Sequence, residues 1–146
     1  SSLGGTKLGL LGADAVVLFD GERARRAGFY RKQAMQLASK MRFVAVQLDA
    51  MLADDLWREL AGHANAMASR LGAGLGVLRG FDLVRPVETN AVFVRMPAAA
   101  VTALQRRAAF HLWEPERSVA RLMTAWDTPV AGVDDFVARA RELAGP

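Results

Sequence analysis

Ser1-Ser-Leu-Gly-Gly-Thr-Lys7-Leu-Gly-Leu10-Leu-Gly-Ala-Asp-Ala15-Val-Val-Leu-Phe19-Asp20 opens the chain, and its reading decides the fold. Ala15 to Phe19 is a short continuous apolar run between turn-forming residues, the pattern of a strand buried on both faces. Two long helical patterns follow it, and no second strand is legible beside it. A lone strand leaves its backbone donors and acceptors unsatisfied on both edges. The chain is therefore expected to begin in the middle of a sheet whose other strands lie elsewhere, as a fragment of a longer polypeptide.

Outward from that strand, Glu22 to Lys32 reads as a charged loop, and a long helix is expected from about Tyr30 to Ala53. Its stripe is Ala34, Ala38, Met41, Ala45, Leu48 and Leu52, with Leu37, Val44 and Met51 as a second apolar flank. A helix covered on two sides needs a further partner. Asp54 or Asp55 can cap the next helix, which carries Trp57, Leu60, Ala64, Met67 and Leu71 at helical spacing. Gly72-Ala-Gly-Leu-Gly76 is expected to end it. The pattern then changes. Leu83–Val87 and Ala91–Met96 read as strands, Pro97 opens a helix, Phe110–Trp113 and Val119–Trp126 are strands, and Thr128-Pro129 starts a last helix. This β-β-α-β-β-α order is a small α+β unit with its helices on one sheet face. The expected boundaries are 1–72 for the end of a larger α/β domain, 73–82 for a linker and 83–146 for the small domain.

With 146 residues the chain is about one domain in size. Its 52% hydrophobic content excludes a disordered tail and implies more buried surface than one small globule needs. No apolar run is long enough to span a membrane. The absence of cysteine removes disulfides, thiolate metal sites and a cysteine nucleophile. No targeting segment is legible, so the cytoplasm is the default compartment. The formal net charge is +4, but the sixteen arginines and three lysines are dispersed among acids, as in Asp54-Asp55-Leu-Trp-Arg58-Glu59. A nucleic-acid surface would show a basic stripe with interleaved aromatics, and none is present.

Three lysines are few enough to place singly. Lys7 lies among glycines and hydroxyl side chains at a strand end. That setting suits Schiff-base chemistry, in which a desolvated amine attacks a carbonyl and glycines admit a bulky cofactor. Taken alone, Gly-Gly-Thr-Lys is a weak motif and better suits a solvated loop lysine. Arg121, in Ala120-Arg-Leu-Met-Thr-Ala-Trp126, is a guanidinium in an otherwise apolar strand, and a buried charge needs a partner. Asp127 or Glu88 would serve internally, and the carboxylate of an amino-acid substrate would serve as well, gripped by the planar fork. His63 and His111 have no second ligand at metal spacing and are read as surface or packing residues, and the tryptophans as core or interface packing. No Gly-x-Ser-x-Gly, P-loop or dinucleotide fingerprint occurs.

The ordered set Ser2-Leu-Gly-Gly-Thr-Lys7-Leu-Gly, Gly12-Ala-Asp-Ala-Val-Val-Leu-Phe19, Tyr30-Arg-Lys-Gln-Ala34, Ser39-Lys-Met-Arg-Phe43, His63-Ala-Asn-Ala-Met67, Thr89-Asn-Ala-Val-Phe-Val-Arg95 and Arg121-Leu-Met-Thr-Ala-Trp-Asp127 resembles the C-terminal part of a low-specificity threonine aldolase, in the aromatic amino acid β-eliminating lyase family. The resemblance runs essentially end to end. It implies the type I, aspartate-aminotransferase-like α/β fold of pyridoxal-phosphate enzymes and a retro-aldol cleavage of β-hydroxy-α-amino acids. Lys7 would hold the cofactor, with Thr6 near its phosphate, and Arg121 would bind the substrate carboxylate. Lys32 would reach the phosphate of a neighbouring subunit, which implies at least a dimer and, by the family pattern, a homotetramer. Where some relatives carry an arginine this chain has Ser39, and Lys40 or Arg42 is the available substitute. The family's chains are much longer, and their N-terminal part supplies most of the cofactor pocket, so the piece alone is expected to be inactive. The alternatives are another β-eliminating lyase of the same fold or a non-catalytic α+β module that dimerises.

Overall fold

The fold is seen in a computed structural model that describes residues 1–144. The chain divides into two compact units, Ser1–Glu59 and the residues from Leu60 on.

In the first unit, strand β1 (Ser2–Gly4) pairs antiparallel with β2 (Asp14–Val16), Leu3 facing Ala15. The strand expected to stand alone thus has a three-residue partner, made possible because the intervening glycines let the chain double back. Nor is the apolar run covered within this chain. The strand stops at Val16, which is 70% exposed, and Phe19 is 87% exposed.

The charged segment expected as a loop is helix α1 (Gly21–Gln33). Its start is fixed by Asp20, whose carboxylate accepts from the amides of Glu22 at 2.9 Å and Arg23 at 3.3 Å, satisfying two donors that the first turn leaves free. An Arg25–Glu22 pair supports the same turn. Arg31 and Lys32 therefore close a helix, where cations suit its dipole, and do not open one. The single helix expected over residues 30–53 is interrupted. Met35 and Lys40 adopt left-handed backbone (φ 56° and 58°), Arg31 Nε donates to the Gln36 carbonyl at 3.0 Å, and helix α2 begins only at Arg42 (Arg42–Leu52). Met51 is buried, whereas Phe43, Val46 and Leu52 are exposed. Asp54 and Asp55 also take positive φ (49° and 59°), which aspartate tolerates better than most residues. Helix α3 (Leu56–Gly76) then carries the chain from the first unit into the second.

The second unit follows the expected element order. Strands β3 (Asp82–Leu83), β4 (Ala91–Arg95), β5 (His111–Glu114) and β6 (Val119–Met123) form one antiparallel sheet in the order β3-β4-β6-β5. Helix α4 (Ala98–Gln105) and helix α5 (Val130–Ala144) complete it. Alternation along the strands puts Val92, Val94, Ala120 and Leu122 on one face. There they join Met67, Leu71 and Leu75 of α3, Val101 and Leu104 of α4, and Val133 and Ala140 of α5 in one core. The later half of α3 thus belongs to this core. Residues 73–82, expected as a linker, hold its last turn and the approach to β3.

Two contacts fix α3 against α5. Gly74 lets the helices approach closely, since a Cβ there would lie 2.7 Å from Val137 Cγ2. Four residues earlier, Arg70 grips Asp134 with Nε and Nη2 at 2.6 and 2.8 Å. Gly62, on the same helix, has open space around it. Gly62→Ala should therefore stabilise the chain by about 0.5–1 kcal/mol through helix propensity. Gly74→Val should cost about 1–3 kcal/mol through overpacking. Urea denaturation of the two variants measures the difference.

The Arg70 guanidinium holds the Asp134 carboxyl below its ordinary value, chiefly through the hydrogen bonds it donates. A depressed carboxyl contributes stability at pH above its unfolded value and loses it as pH falls through the folded one. An NMR titration should place the Asp134 midpoint below the ordinary carboxylate value, and Arg70→Ala should return it there.

Candidate functional site

Lys7 sits on a single 3-10 turn, Thr6–Leu8, in the connection between β1 and β2. The turn hangs on Gly5, which is buried. Its amide donates to the Ala13 carbonyl at 2.7 Å, and its own carbonyl accepts from the amides of Leu8 and Leu10 at 2.9 and 3.1 Å. A Cβ on Gly5 would lie 2.3 Å from Leu10 Cδ1 and 2.9 Å from the Ala13 carbonyl oxygen. Gly9 ends the turn with φ 92°, a backbone region that favours glycine. The glycines flanking Lys7 are thus the means by which its loop closes. The Lys7 side chain is exposed, as is Thr6. The desolvation expected of a lysine at a buried strand edge is not supplied by this chain.

Lys32 lies exposed in the last turn of α1, at the far end of that helix from Asp20. Ser39 and Lys40 fall in the irregular stretch before α2, and Arg42 stacks its guanidinium on the Phe43 ring at 5.0 Å. No hydrogen bond joins these side chains to Thr6 or Lys7 among the described residues.

Arg121 belongs to the second unit, at the centre of β6, directly between Phe93 of β4 and His111 of β5. It projects from the sheet face opposite the three-helix core. Neither internal partner that the sequence offered takes it up. Asp127 and Glu88 form no ion pair with it, and no other described carboxylate does. Its Nε is buried and has no hydrogen-bond partner. An unmet buried donor costs about 1–3 kcal/mol, and an arginine left in that state is ready to accept an external anion. The planar fork suits a carboxylate held by two parallel bonds.

The surroundings of Arg121 were not foreseen from sequence. Its guanidinium carbon lies 5.6 Å from the centroid of the Trp113 ring. Trp113 meets Phe93 edge-on at 5.6 Å between centroids, and the Arg85 guanidinium covers Phe93 at 4.0 Å. The available signal was alternation: Phe93 and Arg121 share a face once the β4–β6 register is known. His63 and Thr124 prove to be structural. His63 Nε2 lies 2.8 Å from the Thr128 carbonyl, and the buried Thr124 hydroxyl donates to the Ala64 carbonyl at 2.7 Å. Among the described residues no group of three or more histidine, aspartate or glutamate side chains could hold a metal. No helix is long and apolar enough to cross a membrane.

No protein-family model matches the sequence. A solved threonine aldolase of Leishmania major matches 99% of this chain with 43% of its own, at a TM-score of 0.91 and 26% identity. The architecture is that of the corresponding part of this solved threonine aldolase, and it includes a small α+β unit. Sequence narrows the relationship further. The chain is 37% identical over 143 residues to the low specificity L-threonine aldolase of Pseudomonas aeruginosa, and 36% identical over 140 residues to that of a Pseudomonas species. It spans 41% and 40% of those two proteins. The chain is thus similar to threonine aldolases along almost all of its length, as its ordered motifs implied, and spans under half of the length of those it matches.

Gly5→Ala should open the Lys7 loop. Amide exchange at Gly5 and Leu10 in the 146-residue chain should rise at least about tenfold, the scale of losing one local hydrogen bond. The amides of β4 and β6 should be unaffected.

Proposed function

We propose that this chain is the C-terminal portion of a carbon–carbon lyase that uses pyridoxal phosphate to cleave β-hydroxy-α-amino acids, threonine giving glycine and acetaldehyde. Without its N-terminal portion the chain is inactive. The observation that carries the reading is Arg121, a buried guanidinium nitrogen with no internal acceptor, in a relative of the threonine aldolases.

The residues present fit the cofactor. Lys7 offers an unpaired, exposed amine on a loop that glycine holds in place, suited to bond the cofactor's aldehyde carbon. Thr6 and Lys32 supply a hydroxyl and an ammonium for its phosphate, Lys32 from a neighbouring subunit. When bound, the cofactor supplies an electron sink for the bond that breaks at Cα. Arg121 holds the substrate carboxylate, which fixes the orientation of the Cα–Cβ bond. Cover that excludes water from Lys7 comes from the rest of the polypeptide. The exposed apolar side chains of the first unit, Phe19, Phe29, Phe43 and Val46 among them, supply surface for that part and for a second subunit. In the whole protein, the first unit closes the large domain and the second unit, with the later half of α3, forms the small one. The assembly is a cytoplasmic homotetramer.

The test uses the full-length polypeptide loaded with cofactor. Borohydride reduction should leave a pyridoxyl group on Lys7, and Lys7→Ala should abolish release of acetaldehyde from threonine. Arg121→Ala should raise KM about ten- to a hundredfold, the range of a lost charge-assisted pair. Normal turnover by Lys7→Ala would refute the reading. Pyruvate from a β-substituted alanine, without aldehyde from threonine, would replace it with a β-eliminating lyase.

A further inference from the structure

The bare face of the second unit's sheet carries a small hydrophobic cluster of its own. Val119 is completely buried, yet it is not part of the core shared with α3, α4 and α5. Two residues before Arg121 on the same strand, it points to Arg121's face. The rings of Phe93 and Trp113 come from strands on either side of β6. Those strands are separated by two inter-strand spacings, roughly 9.6 Å. Their ring centroids are only 5.6 Å apart, so both rings lean inward and roof β6 beside Arg121.

Alternation from His111 puts Trp113 on Arg121's face, and the strand is irregular at Trp113 itself. The β5–β6 register runs His111 to Arg121 and Leu112 to Ala120, then skips to Glu114 opposite Val119. Trp113 is the extra residue, a bulge in the edge strand. Its ring packs against the Arg121 guanidinium at 5.6 Å, within the range in which an aromatic face attracts a cation. Arg85 closes the far side of the row over Phe93 at 4.0 Å.

We propose that Trp113 is a positioning residue for Arg121. Its ring sets the plane of the guanidinium and shields Nε from water, so that the donor is free and oriented before a substrate carboxylate arrives. This rests on the reading of Arg121 as the carboxylate ligand. It adds that the grip is preorganised by an aromatic roof, supported by Phe93, and not by a carboxylate within the protein. A guanidinium that does not have to give up bound water or change rotamer loses less on binding.

Two measurements test it. In the loaded full-length protein, Trp113→Leu should raise KM for a β-hydroxy amino acid about tenfold, the scale of a desolvated cation–π contact, with kcat nearly unchanged. Trp113→Phe should restore most of the loss, and Phe93→Leu should show a smaller rise. A merely structural defect would lower apparent kcat through lost active protein and leave KM in place, and that pattern in all three variants would overturn the proposal. In the 146-residue chain, the Arg121 Nε–H resonance should exchange slowly with solvent, faster in Trp113→Leu and slowly again in Trp113→Phe. Unchanged exchange in Trp113→Leu would also overturn it. Arg121→Ala separates the two ideas. If it leaves KM unaltered, the carboxylate reading fails. If it raises KM while Trp113→Leu does not, only the roof fails.

Discussion

Five residue pairs between β4 and β6, from Ala91 with Met123 to Arg95 with Val119, set the chemistry of the second unit. This register sends Val92, Val94, Ala120 and Leu122 toward the helices and leaves Phe93 and Arg121 on the other side. Strand side chains alternate with a period of two, so a slip of β6 by one residue would turn Arg121 into the apolar core and expose Ala120 and Leu122. The end of the ladder is pinned. Thr124 donates its amide to the Asn90 carbonyl at 3.0 Å, Asn90 returns a side-chain bond to the Thr124 carbonyl at 2.8 Å, and the Thr124 hydroxyl reaches the Ala64 carbonyl of α3. A buried hydroxyl that satisfies a helix carbonyl is costly to misplace, and this one makes the sheet register and the helix position mutually dependent.

The second unit was the more legible half, for physical reasons. Its strands carry alternation, Pro97 and Pro129 mark helix starts, and Val133, Phe136, Val137 and Ala140 keep one helical face, so period and punctuation agree. In the first unit they do not. The apolar spacing from Ala34 to Leu52 suits a helix, but left-handed backbone at Met35 and Lys40, residues with no turn signature, breaks it. β1 escaped notice because three residues containing a glycine carry too little pattern to register as a strand. Lys7 stood out through scarcity and its glycines. The character of Arg121 could be narrowed to two kinds of partner by spacing, and only the register showed that Asp127 and Glu88 leave it alone. Trp113 was read as a packing residue, and a bulge cannot be seen in a linear pattern.

Composition also located something that no single motif did. An apolar content of 52% is more than the core of the second unit uses. The surplus lies in the first unit, where Val16, Phe19, Phe29, Met35, Phe43 and Val46 are all exposed while few large side chains are buried. α2 has the hydrophobic face of an interior helix, yet Phe43, Val46 and Leu52 on it lie open.

Both margins of the four-stranded sheet are blunted. β3 is two residues long and is followed closely by Pro86, and β5 is interrupted at Trp113 and ended by Pro115. A straight outer strand would offer a free row of amides and carbonyls to any passing chain, which is how sheets join edge to edge and precipitate. Deleting Trp113, the one residue between Leu112 and Glu114, would straighten that margin. The same irregularity beside Arg121 thus also keeps that margin from pairing with a neighbouring chain, and losing it would forfeit solubility.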